Sequence, residues 1–104
     1  MVSFDEHRAL LRCSGDEDRT TQSLRRRALS QALKSRTDVT VDLKELGFAD
    51  ASLMLDLAMV ARRLRKVDRA LHLRGAQPQI HVLIEYVGLH RLDGVWVEPQ
   101  PATA

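Results

Sequence analysis

The stretch that decides the fold of this 104-residue chain runs from residue 39 to residue 67 and reads VTVDLKELGFADASLMLDLAMVARRLRKV. Its first part, residues 39–43, alternates β-branched and apolar side chains, which predicts a strand that ends in a loop at 44–48. A helix is expected from Asp50 to about Val67, because the Asp50 carboxylate can accept free N–H groups of the first turn. Arginines crowd the last turns, where cations favour the negative end of the helix dipole. The stretch therefore predicts one strand-loop-helix unit of an α/β domain.

Strand and helix signals alternate on both sides of this unit. Before it, the sequence predicts strands at residues 2–4 and 8–14, a turn at 15–18, and a helix capped by Thr20 or Thr21 that ends near residue 35. After it, the sequence predicts a strand at 70–73, a helix that starts with Pro78 and stops at Gly88, and a last strand at 95–97. This order predicts an α/β fold, with a mixed sheet of about four to five strands and helices packed against it. We expect one domain over residues 1–98 and a loose tail at 99–104.

Composition narrows the class of protein. Apolar residues make up 44% of the chain and charged residues 29%, which is typical of a soluble globular domain. Sixteen Lys and Arg against fourteen Asp and Glu leave a net charge of +2, too little for a nucleic-acid-binding surface. The sequence has no apolar run long enough for a membrane span and no secretory signal, so we expect a cytoplasmic protein.

Side chains that could carry catalysis or hold a metal form no recognised pattern. The four histidines share no metal-ligand spacing, the single Cys13 excludes a cysteine-rich zinc site, and no phosphate-binding glycine loop occurs. We therefore expect no enzyme, no catalytic residue, no metal and no cofactor. A site of three carboxylates, made by Asp18, Asp42 and Asp50 at strand ends, is the one metal-binding alternative left open.

The predicted second helix carries more apolar side chains than one packing face needs. One stripe has the spacing for contact with a sheet: Leu53, Leu57, Val60, Leu64 and Val67. Other apolar side chains lie on different faces of the first turns: Met54, Leu55, Ala58 and Met59. They either widen the core contact or form a docking face. We expect the face with Met54, Ala58 and Met59 to bind a partner and to stay partly exposed.

The predicted first helix has only a thin apolar stripe, made by Leu24, Ala28 and Ala32. Three successive arginines at 25–27 point in different directions around its axis. We expect all three arginines to lie on the solvated surface.

Three segments of the chain resemble the STAS domains, the family of bacterial anti-sigma factor antagonists. They occur in the family's order and at its separations: RCSGDED at residues 12–18, the strand 39–43 followed by FADAS at 48–52, and VGLHRL at 87–92. The resemblance covers nearly the whole chain and implies the STAS fold. Glu17 departs from it, since the family generally has an apolar residue before the aspartate matched by Asp18.

The resemblance also implies a switch that binds an anti-sigma factor or an anti-sigma serine kinase and so regulates transcription. In the family, phosphorylation of the second serine in an Asp-Ser-Ser-Gly motif ends the binding. The matching stretch is Asp50-Ala51-Ser52-Leu53, which makes Ser52 the implied phosphorylation site. Ala51 removes a neighbouring hydroxyl, and Leu53 replaces a glycine that would leave space beside the acceptor. The expected partner-binding residues are Asp18, Asp50, Ala51, Ser52, Leu53, Met54, Ala58 and Met59.

Two other functions stay open. The departures at Ala51 and Leu53 favour a phosphorylation-independent STAS subunit of a transport complex or of a stress-sensing scaffold. A small-molecule or nucleotide sensor would use the loops around Asp18, Asp50 and Gly75. A homodimer is compatible with each of these readings.

Overall fold

The strand that begins the deciding stretch lies at the centre of the sheet. The computed structural model describes residues 1–100, which contain five strands in the spatial order β1 (Val2–Asp5), β2 (Leu10–Glu17), β3 (Val39–Ala49), β4 (Leu71–Arg74) and β5 (Val95–Val97). β1 pairs with β2 in the antiparallel sense, and every other neighbouring pair is parallel. The mixed five-stranded sheet confirms the predicted fold class.

Three helices connect the parallel strands: α1 (Gln22–Leu33), α2 (Ala51–Arg65) and α3 (Pro78–Val87). Since the strands lie in chain order, right-handed crossovers place all three helices on one face of the sheet. α1 contacts α2, and α2 contacts α3, so the helices form one layer. The three helices run parallel to one another because each returns the chain to the start of the next parallel strand.

The apolar core lies between the sheet and the helix layer. Val39, Val41 and Leu43 of β3 are fully buried there, and they share one cluster with the α2 stripe Leu53, Leu57, Val60 and Leu64. Val67, the last residue of the predicted stripe, lies beyond the end of α2 and is exposed. On the opposite face the register places Arg12, Asp42 and Arg74 side by side, so that face is polar.

β2 and β3 are longer than predicted, and they continue through the expected turn at 15–18 and the expected loop at 44–48. The two strands stay paired up to Glu17 and Ala49, with register shifts between Arg12 and Ser14 and again between Gly15 and Asp16. Each irregularity breaks the period of two that would reveal a strand in the sequence. These two predictions were therefore wrong.

Beyond Asp42, β3 has a neighbouring strand on one side only, because its pairing with β4 stops there. On its other side, this part of β3 is hydrogen-bonded by two glutamine side chains at the start of α3. The side-chain amide of Gln77 donates to the Lys44 carbonyl, and that of Gln79 donates to the Gly47 carbonyl, each at 2.9 Å. These backbone acceptors are thus satisfied by side chains instead of a strand.

The face of α1 that packs against the core differs from the predicted apolar stripe, which included Leu24. Leu24 is 78% exposed, whereas Arg25 is only 1% exposed and lies on the buried face with Ala28, Leu29 and Ala32. The threonines do not cap the helix through their side chains. Instead, Asp18 caps a 3₁₀ turn at Arg19–Thr21 that precedes α1. Ion pairs made by Arg25, described below, determine this face.

The C-terminal third follows the sequence closely. α3 begins at Pro78, and Gly88 ends it in the left-handed conformation with φ of 79°. β5 covers Val95–Val97 as predicted.

Most of the predicted tail, residues 101–104, lies outside the described residues. Among the helices that the structure describes, none is long and apolar enough to span a bilayer.

The expected docking face of α2 is largely part of the core. Met54 is 1% exposed and Ala58 is 7% exposed, because α1 and α3 cover α2 from both sides. Met59 is half-buried, and Leu55 is 65% exposed. The expectation that Met54 and Ala58 stay accessible was therefore wrong, and the apolar side chain that α2 presents to solvent is Leu55.

Replacing Met54 by alanine should lower the free energy of unfolding by about 2 to 5 kcal/mol, because a fully buried side chain leaves a cavity. Leu55→Ala is the matched control on the same helix, and its effect should stay within about 0.5 kcal/mol. Urea unfolding followed by circular dichroism measures both changes. Similar losses for the two variants would contradict the packing described here.

Candidate functional site

The N-terminus of α2 lies at the edge of the sheet where β2 and β3 end. Asp50 leaves β3 with extended backbone and caps the helix, because its Oδ1 atom accepts the N–H of Ser52 at 2.8 Å. Its Oδ2 atom accepts the N–H of Arg19 at 3.1 Å. The predicted cap is confirmed, and the same carboxylate also ties α2 to the segment between β2 and α1.

A buried guanidinium group joins α1 to this site. Arg25 is 1% exposed, and its Nε atom donates to Asp56 Oδ2 at 2.8 Å. Its Nη1 atom donates to Glu17 Oε1 at 3.3 Å and to the Asp18 carbonyl at 2.9 Å, and its Nη2 atom donates to Ser52 Oγ at 3.1 Å. Charge-assisted bonds on every side compensate for the burial of this cation.

Ser52 is held by two of these groups. Its hydroxyl donates to Asp50 Oδ1 and accepts from Arg25, so both hydrogen-bonding roles are filled inside the domain. The bond from this hydroxyl is the largest cause that lowers the pKa of Asp50 below its ordinary value. Ser52 is nevertheless only half-buried and occupies the first helical turn.

Asp18 lies beside Asp50 at the same edge of the sheet. It caps the 3₁₀ turn by accepting the N–H of Thr20 at 2.8 Å, and the hydroxyl of Thr20 is the main cause that lowers the pKa of Asp18. The N–H of Arg19, the residue that follows Asp18, donates to Asp50. Two caps on adjacent connections therefore bring Asp18 next to the start of α2.

The predicted site residues separate into an accessible and a buried group. Asp18, Asp50, Ala51 and Ser52 reach the surface together, whereas Leu53, Met54 and Ala58 lie in the core. Met59 borders a groove between α1 and α2.

Three charged residues of the site were missed from the sequence: Glu17, Arg25 and Asp56. The signal for Arg25 was its helical spacing of three and four residues to Ala28 and Leu29 on the buried face. Glu17, 2% exposed, stands where the resemblance suggested an apolar residue, and it is buried because it pairs with Arg25 and with the amino group of Met1.

The three-carboxylate alternative has no counterpart in residues 1–100, where no group of three His, Cys, Asp or Glu side chains is placed to hold a metal ion. Asp42 lies on the polar face of the sheet and accepts the N–H of Lys44. Cys13 is 1% exposed, and burial is the main cause that raises the pKa of its thiol to about 12. A thiol with this pKa stays protonated and unreactive at neutral pH.

Replacing Asp50 by alanine should cost about 0.5 to 2 kcal/mol of stability through loss of the cap. Asp50→Asn keeps a capping oxygen but removes the charge. Because the pKa of Asp50 is lowered in the folded state, its charge stabilises the protein above the ordinary Asp pKa. That contribution is lost as pH falls through the folded-state pKa.

Unfolding curves between pH 7 and pH 3 should thus show that the stability difference between the protein and Asp50→Asn shrinks below about pH 4. A difference that is constant over this range would contradict a charged cap.

Replacing Arg25 by methionine should cost about 3 to 5 kcal/mol, because buried Glu17 and the partly buried Asp56 lose their cation. Adding Glu17→Gln to this variant should recover part of the loss, since one uncompensated charge is then removed. Arg26→Met is the control for an exposed arginine on the same helix, with an effect within about 0.5 kcal/mol. Chemical unfolding of the four proteins tests this, and equal costs for Arg25→Met and Arg26→Met would refute the role of the buried pairs.

The chain was compared with protein-family models, curated proteins and solved structures. No curated protein matches the chain at a significant level. Among solved structures, the anti-sigma factor antagonist SpoIIAA in its unphosphorylated form matches with a TM-score of 0.68 at 18% sequence identity. The match covers 97% of this chain and 88% of that chain, and at this identity it shows a shared fold. The family model described as "Mlab, STAS domain" matches residues 1–96, nearly the whole chain. The protein therefore belongs to the STAS domain family.

Proposed function

We propose that this protein binds an anti-sigma factor or an anti-sigma serine kinase through the start of α2, and that phosphorylation of Ser52 ends the binding. The observation that carries the proposal is that Ser52 reaches the surface in the first turn of α2, beside Asp50 and Ala51. The fold shared with SpoIIAA, an anti-sigma factor antagonist, supports the same conclusion.

The partner would contact the surface formed by Asp18, Asp50, Ala51, Ser52 and Leu55, here called the α2 surface. Leu55 is 65% exposed and lies one helical turn after Ala51, on the same side of α2. A partner that covers Leu55 would remove this exposed apolar side chain from water. Leu55 thus takes the place that the sequence assigned to Met54 and Ala58.

A phosphate on Ser52 would act on this surface far more than on the fold. It adds roughly −1.5 to −2 charges, which the helix N-terminus favours by about 0.3 to 1 kcal/mol. Arg25 already donates to Ser52 Oγ and can donate to a phosphate oxygen there, whereas the bond that the Ser52 hydroxyl donates to Asp50 would be lost. On the outer side, a partner that covered Leu55 would bury an unpaired anion, which costs several kcal/mol and lowers affinity by orders of magnitude.

A second function is favoured by one observation. Both hydrogen-bonding roles of the Ser52 hydroxyl are filled within the domain, so a kinase must first break the bonds to Asp50 and Arg25. The protein would then be a phosphorylation-independent STAS subunit of a transport complex or of a stress-sensing scaffold, and it would use the same α2 surface without modification.

Incubation with ATP and each anti-sigma serine kinase of the source organism, followed by intact-mass measurement, separates the two functions. The proposed switch predicts the gain of one phosphoryl group by the protein and no gain by Ser52→Ala. Ser23→Ala is the matched control, because Ser23 is an exposed serine near the start of α1, and this variant should gain the group normally. A partner that binds while Ser52 is never modified would reject the switch in favour of the phosphorylation-independent subunit.

A further inference from the structure

We infer that the groove between α1 and α2 is a second contact area for the same partner and accepts an acidic amphipathic helix. This inference rests on the proposed function and specifies the chemistry of the partner. The groove has a volume of about 330 Å³ and lies on the outer surface of the helix layer. Its apolar lining is formed by Leu29, Leu33 and Met59.

The groove carries an excess of positive charge. Arg26 and Arg63 line it, and within residues 1–100 neither of them forms an ion pair. Asp56 is the only carboxylate in the lining, and it is already bonded to Arg25 at 2.8 Å and to Gln22 at 3.4 Å. Two cations therefore face an apolar floor without a compensating anion, which complements a partner that carries carboxylates beside apolar side chains.

The groove is long enough to hold a short helix. α1 and α2 run parallel, so the groove follows α1 from Gln22 to Leu33, a length of roughly 16 Å at the rise of an α-helix. That length accommodates about three turns of a partner helix. Such a helix would place apolar residues at spacings of three and four onto Leu29, Leu33 and Met59, with carboxylates reaching Arg26 and Arg63.

The groove begins next to the regulated serine. Ser52 precedes Asp56 by four residues, a rise of about 6 Å, on the side of α2 that faces α1. A phosphate on Ser52 would add negative charge within a Debye length of about 8 to 10 Å from this end of the groove. The same modification would therefore repel an acidic helix in the groove and disrupt contacts at the α2 surface.

Charge reversals with matched controls test the groove. The probes are the purified anti-sigma factors and anti-sigma serine kinases of the source organism, and the measurement is the Kd with the full chain. Arg26→Glu and Arg63→Glu should each weaken binding about tenfold or more, and binding of the unchanged protein should weaken as salt is raised. Arg27→Glu and Arg62→Glu carry the same charge change at exposed positions outside the groove lining, and they should stay within about twofold.

The outcomes distinguish the groove from the proposed function. Leu55→Asp tests the α2 surface alone. Loss of binding in Leu55→Asp, with normal binding by both groove variants, would overturn the groove and leave the proposed function intact. Equal weakening in groove and control variants would also overturn it, because net charge alone would then explain the effect. Failure of the unchanged protein to bind any of the probes would overturn both proposals. All variants should melt at the temperature of the unchanged protein, which would show that the substitutions act on binding and not on folding.

Discussion

The buried guanidinium of Arg25 is the interaction on which the rest of the site depends. It holds α1 against α2 through Asp56, reaches the end of β2 through Glu17, and contacts the Ser52 hydroxyl. A cation at 1% exposure is stable only while these acceptors surround it, so the positions of two helices and one strand end are fixed together. The geometry of the polar site and the packing of α1 against α2 consequently depend on the same side chain, Arg25.

The order of the elements could be predicted because it depends on local chemistry. Asp50, Pro78 and Gly88 specify helix ends through their own hydrogen bonds and backbone preferences, and each acts where the sequence placed it. The lengths of β2 and β3 could not be predicted in this way. Their irregular pairing near Gly15 depends on contacts between residues that are about 30 positions apart in the chain, and it interrupts the alternation that a local pattern would show.

The site was only partly predictable for a related reason. The cap at Asp50 and the placement of Ser52 follow from the first turn of one helix, which the sequence contains in full. Burial of Arg25 depends on two carboxylates from other elements, Glu17 and Asp56. Without these partners, the apolar side chain of Leu24 was favoured for the core. Hydrophobicity alone therefore does not predict the burial of a charged side chain, because that burial depends on its hydrogen-bond partners.

Beyond Asp42, β3 pairs with β2 on one side and is bonded to two glutamine side chains on the other side. On its free edge, this segment is held by the amide groups of Gln77 and Gln79, which can release their acceptors by rotation of single side chains. A parallel strand would have to give up a cooperative ladder to do the same. We therefore expect residues 45–49 to open at a lower free energy than residues 40–42, which pair with a strand on both sides. Such opening would loosen the strand end before the Asp50 cap and leave the pairing of β3 with β4 intact.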